Sequence, residues 1–167
     1  MKKDNVILIG MSGAGKSTLG VLLAKAIGKA FTDTDIAIQQ KEGRLLQEII
    51  DADGIEYFMQ VEEDVVSNLK FENSVIATGG SVVYSDKIMT SLKETAVSVY
   101  LYVPYNELAA RVKNISTRGI VMRHGSTYED VYNERLPLYK KYADITVDCS
   151  KMSIEQCVEQ IVKQLKK

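Results

Sequence analysis

Apolar positions along the chain follow two rhythms. Short unbroken runs, Val6–Ile9, Val75–Thr78, Val97–Val103 and Ile145–Val147, are β-branched and brief, which predicts buried strands. Between them apolar residues recur at helical spacing: Leu19, Leu22, Leu23, Ala26 and Ile27; Phe58, Val61, Val65 and Leu69; Leu108 with Val112; and Ile154, Cys157, Val158, Ile161, Val162 and Leu165. Ala30–Asp35 reads as a further strand ending in two carboxylates. Strands that alternate with helices and are apolar on both faces predict an α/β fold, a five-stranded parallel sheet flanked by helices in three layers. The charged stretch 68–73 is a connection. The stretch 114–127 mixes basic, glycine and hydroxyl residues with little periodicity, so a mobile loop is predicted, of the kind that forms an active-site lid.

Composition narrows the class without naming it. With 167 residues, one domain spanning 1–167 suffices. Hydrophobic residues at 46% and charged residues at 26% suit an ordinary soluble chain, and the net charge of -1 argues against a nucleic-acid binder. The apolar run after Lys2 and Lys3 is too short for a signal peptide or a membrane span, so a cytoplasmic monomer with no membrane partner is expected. Cys149 and Cys157 lack metal-ligand spacing and are read as buried free thiols, and the lone His124 is read as a surface residue.

Chemistry enters between the first strand and the first helix. Gly10-Met-Ser-Gly13-Ala14-Gly15-Lys16-Ser17 matches the phosphate-loop pattern, followed by Thr18 on the helix. Glycines let successive backbone N–H groups turn around phosphate oxygens, and the helix N-terminus adds its dipole. Lys16 is expected on the β- and γ-phosphates of ATP and the Ser17 hydroxyl on Mg²⁺. Asp33 and Asp35, at the carboxyl edge of the second strand, supply one carboxylate for Mg²⁺ and another to take a proton from an attacking hydroxyl; capping of the next helix is the competing reading.

The order of these elements resembles the shikimate kinase family. After the phosphate loop come Phe31-Thr-Asp33-Thr-Asp35, Glu42-Gly43-Arg44, Gly54 with Phe58 and Glu62, Ala77-Thr78-Gly79-Gly80, Arg118, Glu134-Arg135-Leu-Pro-Leu-Tyr139, and Tyr142-Ala-Asp144, nearly the whole chain. The resemblance implies a phosphate-loop kinase fold with a substrate-binding helical segment at about 34–62 and a lid at about 114–127. It implies ATP-dependent transfer to a small hydroxylated metabolite in aromatic amino acid biosynthesis. Asp33 is then the Mg²⁺ ligand, Asp35 the base, Arg118 the lid residue that stabilises charge on the phosphoryl group, and Arg111 the adenine contact. Gly79 and Gly80 bring backbone N–H groups to the acceptor, and Arg135 binds its carboxylate.

Arg135 is also conspicuous without the resemblance, because it shares a helix face with Tyr128, Val131, Tyr132 and Tyr139; the alternative is an ion pair with Glu134 or Glu129. Glu62 likewise falls on an inward face, where it is expected to orient a basic neighbour. Two positions depart from the family pattern. Met59 stands where the family anchors the substrate carboxylate with arginine, a loss of charge-assisted hydrogen bonds worth about 1.5–3 kcal/mol each. Ser81 replaces a third glycine, which narrows the acceptor space or offers it a hydroxyl. In the lid, Gly119 stands where proline is common, and the expectation is a looser loop. Three readings follow: a shikimate kinase in which Arg44, Arg123 or Arg135 covers the carboxylate, a related kinase acting on a hydroxy amino acid or polyol, and a nucleotide-binding module without catalysis.

Overall fold

The computed structural model describes residues 3–113 and 117–166; the first part of the expected lid, 114–116, lies outside the described residues. Five parallel strands, β1 (Asn5–Ile9), β2 (Ala30–Asp33), β3 (Ser74–Ala77), β4 (Ala96–Tyr102) and β5 (Ile145–Asp148), form one sheet in the order β2-β3-β1-β4-β5. Every residue of β1 and β3 is buried, which explains why both read as unbroken apolar runs rather than alternating ones. The polar exceptions are Ser74, which opens β3, and Asn5, which opens β1. The Asn5 side chain donates to the Phe71 carbonyl at 3.0 Å and accepts the Ser74 amide at 2.9 Å, so it pins the start of β3 to the start of β1.

Chain order places the cleft. From β1 the chain crosses to β2 at one edge, returns to β3, then passes over β1 to β4 on the other side. Connections that leave the central strands in opposite directions open a crevice at the strands' carboxyl ends. The helices α1 (Lys16–Ile27), α2 (Thr34–Glu42), α3 (Leu46–Asn68), α4 (Asp86–Thr95), α5 (Tyr105–Arg111), α6 (Tyr128–Tyr142) and α7 (Ile154–Leu165) fill the connections and the chain end. A single helical turn, Val82–Tyr84, follows β3, and α3 bends at Gly54.

Two cores result. The larger surrounds β1 and β4 and includes Leu8, Ile9, Leu23, Val99, Leu101 and Ile161. The smaller lies under the α2–α3 arm, where Ile38, Leu46, Ile49, Phe58, Val61 and Val65 pack together with Val121. Val121 comes from the expected lid, and its neighbour Ile120 joins the larger core. The described part of that loop is therefore seated by two buried side chains.

Gly119 corrects the expectation of looseness. Its φ of +63° is closed to proline, and a Cβ there would lie 2.3 Å from Leu46 Cβ and 3.2 Å from the Gln47 amide nitrogen. Its own N–H donates to Gln47 Oε1 at 3.1 Å. The glycine lets the loop press against the start of α3.

Candidate active site

The phosphate loop leaves β1 and enters α1, as its pattern requires. Ser12, Gly13, Gly15, Lys16, Ser17 and Thr18 line a cleft of about 370 Å³ together with Asp35, Thr78, Gly80 and Arg118. The sequence-predicted donor residues and the proposed base thus face one space. Lys16 is buried, and its ammonium donates to the Gly10 and Met11 carbonyls at 2.7 and 2.8 Å. Burial pushes its pKa down to about 8, against the opposing pull of Asp35. At neutral pH it remains a cation at the base of a phosphate cradle.

Asp33 serves both readings made of it. Its Oδ1 accepts the Asp35 and Ile36 amides at 2.9 and 3.4 Å and caps α2, while its Oδ2 accepts the Ser17 hydroxyl at 2.6 Å. The pair offers two hard oxygen donors at the mouth of the loop, which fits Mg²⁺. Among the described residues no cluster of three or more acidic, histidine or cysteine side chains could hold a metal by itself, so the remaining ligands would be phosphate and water oxygens.

Asp35 lies on the first turn of α2, half-buried in the cleft. Burial first, and the charge of Asp33 second, push its pKa up to about 6, with Lys16 pulling the other way. Such a carboxylate is ionised at neutral pH yet basic enough to take a proton. Gly79 holds the opposite wall. A Cβ on it would lie 2.7 Å from Glu62 Oε1 and 2.8 Å from Asp35 Oδ1, so both carboxyl groups close on the same point. The Gly79 N–H is already committed to the Thr34 hydroxyl oxygen at 3.2 Å. Gly80 is required for a different close approach, since a Cβ there would lie 2.8 Å from Arg135 Nη1 and 3.2 Å from Ser12 Oγ. The two glycines make room for side chains, and the Gly79 N–H points to Thr34.

Arg135 is 1% exposed. Its Nε donates to the Tyr84 hydroxyl at 3.2 Å and its Nη2 to the Val121 carbonyl at 2.7 Å, with the Tyr84 ring 5.1 Å from the guanidinium carbon. Among the described residues it forms no ion pair, which removes Glu129 and Glu134 as partners. A buried cation held by neutral groups retains its appetite for an anion.

Other predicted residues separate from this centre. Met59 is half-buried in a neighbouring cavity of about 260 Å³ with Ile55, Tyr84, Val121, Arg123, Ser126, Val131 and Glu134. Arg44 is engaged by Glu42 at 3.0 Å and Asp53 at 2.7 Å on a different face, which removes it as a substitute anchor. Arg111 pairs with Glu107 at 2.7 Å and lines a cavity with Gly13, Gly15, Thr18, Cys149 and Cys157 beside the phosphate loop. Both cysteines are buried free thiols, and His124 is exposed.

Three contributors were missed from sequence. The Tyr128 hydroxyl donates to the Ser12 carbonyl at 2.6 Å and steadies the phosphate loop; the Tyr139 hydroxyl donates to the Gly80 carbonyl at 2.7 Å; and Tyr84 holds Arg135. Tyr128, Arg135 and Tyr139 share one face of α6, a face visible in the spacing, but their partners are many residues away and carry no local signal. One helix therefore touches the phosphate loop, the buried guanidinium's neighbours and the glycine pair.

Comparison with known proteins agrees with this geometry. A family model described as shikimate kinase matches residues 12–166. A shikimate kinase of Clostridium botulinum (strain Okra / Type B1) is 35% identical over 98% of this chain and 97% of its own length. One from Mycobacterium avium (strain 104) is 37% identical over 95% and 92%. Among solved structures, the shikimate kinase of Acinetobacter baumannii in complex with shikimate superposes with a TM-score of 0.89 at 28% identity, covering 97% of this chain and 92% of that one. That of Aquifex aeolicus gives 0.84 at 29%, covering 97% and 96%. With the phosphate loop, the paired aspartates and the buried arginine all in place along its length, the chain belongs to the shikimate kinase family.

Proposed function

We propose that this protein transfers the γ-phosphoryl group of ATP to a hydroxyl of shikimate. The observation that carries the reading is the convergence of Lys16, Asp35 and Arg118 on one cleft whose far wall backs onto the buried, anion-seeking Arg135. In that reading the loop amides and Lys16 hold the phosphates, and Asp35 accepts the proton of the attacking hydroxyl. Arg118 stabilises the charge that spreads over the phosphoryl oxygens, and the acceptor's carboxylate settles against Arg135. Ser17 and Asp33 are the residues that would hold Mg²⁺, which when bound would supply neutralisation of phosphate charge. Positioning and electrostatics carry such reactions, and the lid segment 114–127 keeps water from competing with the acceptor. Arg111 is assigned to the adenine side on its place beside Gly15 and Thr18. The protein acts in this reading as a cytoplasmic monomer; no described helix is long and apolar enough to cross a membrane.

A second acceptor class is favoured by one observation. The cavity beside Met59 carries a neutral thioether where the family places an arginine, and it holds one basic side chain, Arg123, together with one acidic one, Glu134, which suits a hydroxylated metabolite of lower negative charge. A coupled assay of ADP release with shikimate, a hydroxy amino acid and a polyol separates the readings. Shikimate-dependent turnover that saturates supports the first. Turnover only with another acceptor replaces it, and no acceptor-dependent turnover removes both.

A further inference from the structure

Glu62 is 2% exposed and lies on α3 three residues after Met59, on a shared helix face. A buried carboxyl group must be matched by a cation, by hydrogen bonds or by a proton. Position 59, three residues before it on α3, is within reach of it for a basic side chain, and that side chain is a thioether here. Among the described residues Glu62 forms no ion pair. Its hydrogen-bond partner is the Ser81 hydroxyl, 3.0 and 2.9 Å from the two carboxyl oxygens. Ser81 is itself buried, with φ of -84°, a conformation that needs no glycine. Its hydroxyl is therefore spent inside the wall and does not project toward an acceptor, contrary to both expectations for this position.

We propose that Met59 and Ser81 are one coupled replacement centred on Glu62: the Ser81 hydroxyl takes over from a basic residue at position 59 the task of fixing the Glu62 carboxyl beside Asp35. Ser81 is then a positioning residue for acceptor recognition, acting through Glu62, whose oxygen and that of Asp35 close on the same point above Gly79. The groups that face Glu62 are Asp35 from α2, Ser81 from the turn after β3 and Arg135 from α6. With burial and Asp35 dominant among them, its pKa is pushed up to about 8, so the wall presents a neutral acid where a cation at position 59 would leave a carboxylate.

The test is a double-mutant cycle of Met59→Arg and Ser81→Ala, read two ways. The first is the Glu62 titration followed by carboxyl-carbon NMR, which is independent of any acceptor. The second is the KM for shikimate against kcat, which rests on the proposed function. In the wild-type background, Ser81→Ala is expected to raise the Glu62 pKa further and raise the acceptor KM about tenfold with KM for ATP unchanged. In the Met59→Arg background, where the guanidinium ionises Glu62, the same change is expected to shift KM less than about twofold. Equal effects of Ser81→Ala in both backgrounds, or a Glu62 titration indifferent to it, would overturn the proposal. If no variant turns over shikimate, the functional reading fails and the titration cycle still decides this one. Ser81→Gly serves as the second variant if Ser81→Ala does not fold.

Discussion

The donor half of the cleft and the acceptor half are built by different means. On the donor side, Lys16 and Ser17 come from one continuous phosphate-loop stretch, and Asp33 is delivered by the end of the edge strand β2. On the acceptor side, Glu62, Ser81, Tyr84, Val121 and Arg135 come from four separate stretches and meet through contacts 14 to 51 residues apart in sequence. The donor half recognises phosphate largely with backbone and tolerates little change. The acceptor half is built from side chains that meet one another across the fold, and both departures from the family pattern fall there.

Predictions follow from pressing on each half. The largest effect belongs to the donor side: Lys16→Met should reduce kcat by about a thousandfold or more, since it removes the cation stabilising the transferred phosphoryl group, as measured by ADP release. Arg135→Met comes next and should separate the halves. The acceptor kcat/KM should fall about a hundredfold while Kd for ATP, from an equilibrium binding titration, moves less than about twofold. Loss of ATP affinity in that variant would mean that the two halves are not separable.

The third prediction concerns pH and belongs to the acceptor wall. Glu62 titrates at about 8 in the folded protein against an ordinary 4.5, so its contribution to stability is complete below 4.5 and is lost as pH rises to 8. Asp35, raised to about 6, acts in the same direction, whereas Lys16, lowered to about 8, changes little below that pH. Urea unfolding should therefore show the protein roughly 3–5 kcal/mol less stable at pH 8 than at pH 5, and Glu62→Gln should flatten much of that slope. A slope that survives in Glu62→Gln would place the titration elsewhere. The smallest effect is expected of Tyr139→Phe, which leaves the buried Gly80 carbonyl without its donor and should cost about 1 kcal/mol of stability with the donor kinetics intact.

The same contrast explains what was legible in the sequence. The five strands and α1, α7 and the second half of α3 were, because β1 and β3 are buried on both faces and α7 keeps a sustained apolar stripe; α4 was not, and the second strand stops at Asp33, with Asp35 already on α2. The phosphate loop and Asp33 were legible because their chemistry needs contiguous residues between a strand and a helix. Tyr84 was not: nothing in Val82–Tyr84 indicates that its hydroxyl will accept from a guanidinium 51 residues later. Gly119 was misread because sequence gives the absence of a side chain, whereas the need for that absence comes from Leu46 in another element. Ser81 was misread for the same reason, its partner being Glu62 across the arm.

The face of α6 that carries Tyr128, Arg135 and Tyr139 has a further consequence. Tyr128 and Tyr139 leave the helix eleven residues apart along the chain, yet their hydroxyls meet Ser12 of the phosphate loop and Gly80 of the glycine wall, two points that lie against each other, since a Cβ on Gly80 would come within 3.2 Å of Ser12 Oγ. The helix therefore acts as a clamp with two legs, one hydroxyl on each side of the seam between the phosphate cradle and the glycine wall. A substitution around Glu62 leaves both legs of that clamp in place.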